Sequence, residues 1–162
     1  EAIFQNLRGV QSVISGYAGG SAEQANYRAV CSGTTGHAEV IQLTFDDDEI
    51  SIEILLEIFF NLHDPTTLNR QGADSGTQYR SVIFYDSQQQ KVAAEQLIQQ
   101  IEQEKLWNAP IVTTLETCTA FYPAEEGHQD YYQQNSYQPY CQAVITPKIK
   151  KLQARYQSLL KA

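Results

Sequence analysis

The chain contains no methionine, and its three cysteines, Cys31, Cys118 and Cys141, have neither the even count nor the close spacing of a disulfide framework or a zinc site. Reduced thiols or redox chemistry remain for them. Basic residues are scarce: 11 Lys and Arg stand against 19 Asp and Glu, a formal net charge of -8 with an isoelectric point near 4.8. Binding a phosphate backbone needs clustered cations, and only the short PKIKK at 147–151 offers any, so nucleic-acid partners are excluded. Long apolar runs are missing too. The longest, such as ILLEIFF, fall far short of the roughly 20 residues that a bilayer span requires. No secretory signal opens the sequence, and a soluble, cytoplasmic protein without membrane contact is expected. Repeats, low-complexity tracts and linkers are absent as well, so 1–162 reads as a single domain long enough for one substantial core.

What is present alternates between two periods. EAIFQNLR opens with Ile3, Phe4 and Leu7 at helical spacing but no capping residue ahead of them, as in a chain that starts just after something. QSVISGYAGG reads as a strand running into a glycine turn, and residues 21–32 as polar loop. HAEVIQLTF at 37–45 reads as a strand, SIEILLEIFFNL at 51–62 as a largely buried helix, and SVIFY at 81–85 as a second good strand. A Gln- and Glu-rich helix from about 87 to 105 precedes a further strand in PIVTTLE. Pro123 and Pro147 each stand where a helix favours proline in its first turn. Residues 63–80 show no periodicity, and a loop of that length inside a domain is more often functional than idle. The order is mixed α and β.

One residue breaks the pattern. Side chains alternate faces along a strand, so Glu39 falls on the same side as Ile41, Leu43 and Phe45. A carboxyl on an apolar face costs folding free energy unless it is hydrogen-bonded or protonated. On pattern alone it is either a structural acid satisfied by backbone or arginine, or an acid whose proton is held for chemistry. Tyr27 and Tyr79 are two of 10 tyrosines and lie in polar stretches, where their hydroxyls are available as donors.

Four stretches carry more. GYAGG at 16–20, YRAVCSGTTGHAEV at 27–40, HDPTTLNRQGADSGTQYRS at 63–81 and FYPAEEGHQDYY at 121–132 resemble, in order and spacing, the methionine sulfoxide reductase A family from Glu1 to about Cys141. The resemblance implies an α+β fold with a central mixed sheet covered by helices, a ferredoxin-like two-layer core, and an irregular C-terminal segment. It implies a monomeric oxidoreductase of protein repair under oxidative stress, reducing the S epimer of methionine sulfoxide in oxidised proteins and as the free amino acid. No cofactor or metal is implied; thioredoxin, or dithiothreitol in the test tube, supplies the electrons.

The resemblance also assigns roles. A cysteine thiolate attacks the sulfoxide sulfur while an acid protonates the oxygen, and the acid matches Glu39; burial there would raise its pKa, as a general acid near neutral pH requires. Tyr27 and Tyr79 match hydroxyls placed against the sulfoxide oxygen, and Asp74 matches an aspartate that supports substrate and water. Cys141 matches the cysteine that resolves the sulfenic acid, although the tail after it lacks the family's glycine-rich form. The nucleophile itself belongs to a Gly-Cys-Phe-Trp motif that precedes the position of Glu1, so the chain as given lacks it and, with it, the apolar pocket for the substrate methyl. Two other readings remain open: a non-catalytic domain that binds methionine sulfoxide, and a Cys and His hydrolase built on Cys31 and His37. Cys118 is expected to be a buried, inert thiol, and His63, His128 and Asp130 have no metal-binding spacing, His128 reading as a structural hydrogen-bonding residue.

Overall fold

Ser51 and Ser87 begin the two long helices, their hydroxyls accepting from the amides of Ile54 and Gln90 at 3.3 Å. The computed structural model describes residues 2–129, 135–139, 142–143 and 146–161. Among them the helices are α1 (Ala2–Gln5), α2 (Tyr27–Cys31), α3 (Ile52–Leu62), α4 (Gln88–Gln103) and α5 (Thr146–Arg155). The strands are β1 (Val10–Ala18), β2 (Ala38–Phe45), β3 (Arg70–Gln71), β4 (Asp74–Ser75), β5 (Val82–Tyr85), β6 (Thr114–Thr117) and β7 (Phe121–Pro123). The α+β class holds.

The strands are shared among several sheets where one central sheet is expected. β2, β1 and β7 form an antiparallel sheet in that order, β5 and β6 a parallel pair joined through α4, and β3 and β4 a small hairpin. Helix α3 lies against both larger pieces. Leu55 and Ile58 pack with Phe4, Leu7 and Val10 on the antiparallel side, whereas Leu56 packs with Ala93 and Ala94 of α4, against which Ile83 and Leu115 rest. An apolar helix that feeds two cores explains why its sequence is hydrophobic on every turn.

Two local expectations are corrected. Residues 21–32 are not all loop: Asn26 accepts the amide of Ala29 at 2.9 Å and starts α2, a helix too short to show a period. Pro123 does not open a helix but ends β7 opposite Gly16, on the edge of the sheet, where a residue without an N–H is tolerated. The aperiodic 63–80 stretch folds into the hairpin, with Gly72 at φ 58° in its turn, and a 3-10 turn at Thr77–Tyr79.

Candidate active site

The β1/β2 register sets Tyr17 directly opposite Glu39, and the β1/β7 register sets it opposite Tyr122, so a row of polar tips crosses the sheet on one face. Beside that row opens a cavity of about 830 Å³, lined by Tyr27, Glu39, Asp74, Tyr79, Cys118 and His128 among others. Its walls are unusual. Consecutive residues of β2, Glu39 to Leu43, and of β5, Val82 to Phe84, touch it, whereas a cavity over one strand face would meet alternate residues only. It therefore runs along the outer edges of β2 and β5, which have no ladder partner among the described residues.

Four of the expected residues thus converge. Glu39 sits at the mouth of the cavity and stays exposed, which corrects the expectation that its neighbours Ile41, Leu43 and Phe45 enclose it; those three are half-buried, while β2, as an outer strand, leaves its Glu39 end open. Desolvation by surrounding atoms still pushes the Glu39 carboxyl above the ordinary glutamate value, and the charge of Asp74 adds to the rise. A hydrogen bond from the Tyr79 hydroxyl and the proximity of His128 oppose it. Tyr79, half-buried, is pushed up to about 12 by desolvation and then by Glu39 and Asp74, so it keeps its proton and remains a donor. Tyr27 also raises the Tyr79 value electrostatically, as a smaller contribution.

The loops that hold these groups are tied to one another. The Thr77 hydroxyl donates to the Gly33 carbonyl at 3.0 Å, and the Arg80 guanidinium donates to Thr77 O at 3.0 Å and Gly36 O at 3.1 Å. Tyr79 lies between those anchors and Glu39 just beyond Gly36, so the bonds fix acid and phenol relative to each other. On the other wall the Tyr27 ring stacks on His128 with centroids 4.4 Å apart and planes at 22°, and the Tyr27 amide donates to Glu125 Oε1 at 3.0 Å. Glu125 Oε2 accepts the hydroxyl of buried Tyr17 at 3.2 Å and lies 3.8 Å from His128 Nε2. Desolvation pushes the Glu125 carboxyl up, but these hydrogen bonds and the nearby imidazole outweigh it and hold the group below the usual carboxylate range.

His37, 1 % exposed, explains the GYAGG turn. Its Nδ1 accepts the Gly20 amide at 3.2 Å, leaving Nε2 to donate to the Ser21 carbonyl at 2.8 Å. A methyl at Gly20 would stand 2.6 Å from both His37 Cδ2 and the Thr35 carbonyl. Gly20→Ala should therefore destabilise the fold by about 2 kcal/mol or more, as overpacking against backbone does, and lower Tm by roughly 4–8 °C at the sensitivity of a domain this size. Thermal unfolding checks this, and an unchanged Tm would show that the turn yields freely.

With both ring nitrogens engaged, His37 is not available to activate Cys31, which counts against a hydrolase built on that pair. Cys31 is exposed; Cys118 is half-buried on the cavity wall instead of fully enclosed. Cys141 and Asp130 lie outside the described residues. His63 donates through Nδ1 to the Phe59 carbonyl and meets the Ser81 hydroxyl at 2.8 Å, so it braces the end of α3. Among the described residues no group of three or more His, Cys, Asp or Glu is placed to hold a metal ion. No helix there is long and apolar enough to cross a membrane.

The family described as peptide methionine sulfoxide reductase matches residues 1–160. The chain is 53% identical over 156 residues to a peptide methionine sulfoxide reductase of Deinococcus radiodurans, the match covering 96% of this chain and 76% of that protein. Among solved structures it resembles Mxr1 from Saccharomyces cerevisiae in reduced form, with a TM-score of 0.76 and 34% identity, covering 82% of this chain and 76% of that one. It also resembles Mxr1 in complex with Trx2, with a TM-score of 0.51 and 25% identity, covering 73% and 65% of the two chains.

Proposed function

The chain belongs to the peptide methionine sulfoxide reductase family, and from that premise we propose that it reduces the S epimer of methionine sulfoxide, in proteins and as the free amino acid, using thioredoxin as reductant. The observation that carries the reading is the meeting of Glu39, Tyr79, Tyr27 and Asp74 at one cavity, with the Tyr79 hydroxyl and the Glu39 carboxyl acting on each other electrostatically. A thiolate attacks the sulfoxide sulfur; Glu39 gives its proton to the leaving oxygen, and the two phenols donate to that oxygen as negative charge grows on it. Methionine leaves, and the enzyme thiol carries the oxygen as sulfenic acid. The thiol of Cys141 then expels that oxygen as water to form a disulfide, which a dithiol partner reduces.

The attacking thiolate is not assigned to a residue of this chain, which matches 76% of the length of its Deinococcus radiodurans relative. A cytoplasmic setting suits a cycle that depends on a thiol reductant. The reading of a non-catalytic binding domain is not favoured, since the matched relatives are named as reductases. Assay of the complete gene product with peptides carrying each sulfoxide epimer tests the proposal. Turnover of the S epimer alone is expected, with Cys141→Ser retaining one turnover but losing thioredoxin-driven cycling. Reduction of the R epimer alone, or of neither, would overturn it.

A further inference from the structure

Glu125 lies outside the group of residues to which the reaction is assigned, yet it contacts three residues of the cavity wall, Tyr17, Tyr27 and His128. One carboxylate oxygen accepts the backbone amide of Tyr27 at 3.0 Å, the first residue of α2. The other accepts the Tyr17 hydroxyl at 3.2 Å and faces His128 Nε2 at 3.8 Å. Tyr17 is 2 % exposed near the end of β1, the middle strand of its sheet, paired on either side with β2 and β7, so it is the rigid end of the network. Tyr27 is the soft end. It is 47 % exposed on a five-residue helix, and its ring rests on His128, three residues beyond Glu125 and itself half-buried. Neither that helix nor the 3-10 turn Glu126–His128 is long enough to hold its own geometry.

We propose that Glu125 is a positioning residue for Tyr27: it ties the first turn of α2 and the His128 stacking platform to the sheet through Tyr17, and so holds the Tyr27 phenol over the cavity. The role rests on the proposed assignment of Tyr27 as a donor to the sulfoxide oxygen. The physical need is entropic. An exposed tyrosine samples several rotamers, and a donor contributes to a transition state only while it is in place, so fixing backbone and ring face in advance lowers the cost of alignment. Removing the carboxylate leaves Tyr17 buried without its acceptor and takes one side-chain anchor from each end of the stack.

Two measurements on the complete protein test this. The first reads position alone. A 3-fluorotyrosine placed at Tyr27 should give a fluorine resonance displaced from its unfolded shift by the His128 ring, and Glu125→Ala should abolish the displacement in a protein whose thermal transition stays cooperative. An unchanged displacement would overturn the proposal. The second reads consequence. Glu125→Ala should lower the single-turnover rate of S-sulfoxide reduction about tenfold with little change in substrate affinity, and Glu125→Gln, which keeps an acceptor of the same shape, should recover most of it. In a Tyr27→Phe background the Glu125→Ala loss should largely vanish, because groups acting through one another are not additive. Losses that multiply would mean that Glu125 acts elsewhere and would likewise overturn the proposal. A lost displacement together with a Tyr27→Phe variant of full rate would leave the positioning intact and refute the donor role of Tyr27 instead.

Discussion

Glu39→Gln in the complete protein is expected to slow the reduction step by roughly 10²–10⁴-fold while leaving substrate affinity almost unchanged, since the amide keeps the shape of the acid but cannot supply its proton. Single-turnover kinetics with an S-sulfoxide peptide would show it. The pH profile adds a second signature. In the proposed role the protonated form does the work, and desolvation, followed by the charge of Asp74, raises the Glu39 pKa above that of an ordinary glutamate. The parent should therefore stay active to higher pH than a normal carboxylic acid would allow, then lose rate as pH rises through the raised pKa; the residual rate of Glu39→Gln should not show that limb. Stability runs the other way. A group whose folded pKa lies above its unfolded one contributes stability below the unfolded value, and that contribution disappears as pH rises through the folded value. At neutral pH and above, Glu39→Gln should thus be at least as stable as the parent. A slow variant that is no less stable separates lost chemistry from lost structure; an unchanged rate would make Glu39 a purely structural acid.

The same residue shows how far the sequence reaches. Its period correctly put Glu39 with Ile41, Leu43 and Phe45, because strand alternation is a property of the backbone. It did not give the degree of burial, which depends on whether β2 has a second neighbour, and pairing partners are not written in the strand itself. Helices α3 and α4 are legible from their composition and apolar spacing, while the serine cap at each start is a finding of the structure. Helix α2 was not, because five residues hold little more than one turn, and its cap Asn26 is one polar residue in a polar stretch. Pro123 was misread because a proline suits a helix start and a strand edge equally, and only the pairing with Gly16 decides. Tyr27, Asp74 and Tyr79, in elements of two to five residues, carried no periodic signal at all; resemblance singled them out, and the tertiary fold brings them to one cavity. Glu125 lies within one of the four stretches that carry the resemblance, but no role is matched to it. It stands beside Glu126, and nothing in the sequence distinguishes the acid that bonds Tyr17 and Tyr27 from its neighbour.

Removing both phenols, in Tyr27→Phe/Tyr79→Phe, should approach the Glu39→Gln loss without copying it. A single donor aimed at developing negative charge is worth about 10²–10³ in rate, and two donors to one oxygen share that charge, so the double variant should lose less than the product of the single losses. Tyr79→Phe alone carries the more discriminating test. Desolvation, then Glu39 and Asp74, push the Tyr79 phenol up to about 12, so it is a donor across any practical assay range and its own ionisation cannot shape the profile. Its hydroxyl, however, favours the charged form of the Glu39 carboxyl, holding the pKa of the acid down. Deleting it should lower the plateau rate and at the same time move the alkaline limb to higher pH, because Glu39 then keeps its proton longer. Tyr27→Phe, which removes no bond to Glu39 that the structure assigns, should lower the plateau and leave the limb in place. Rates of all three variants measured across pH would decide it. A lower plateau with an unmoved limb in Tyr79→Phe would mean that the phenol serves the substrate oxygen only, and a moved limb at full rate would mean that it does nothing but tune the acid.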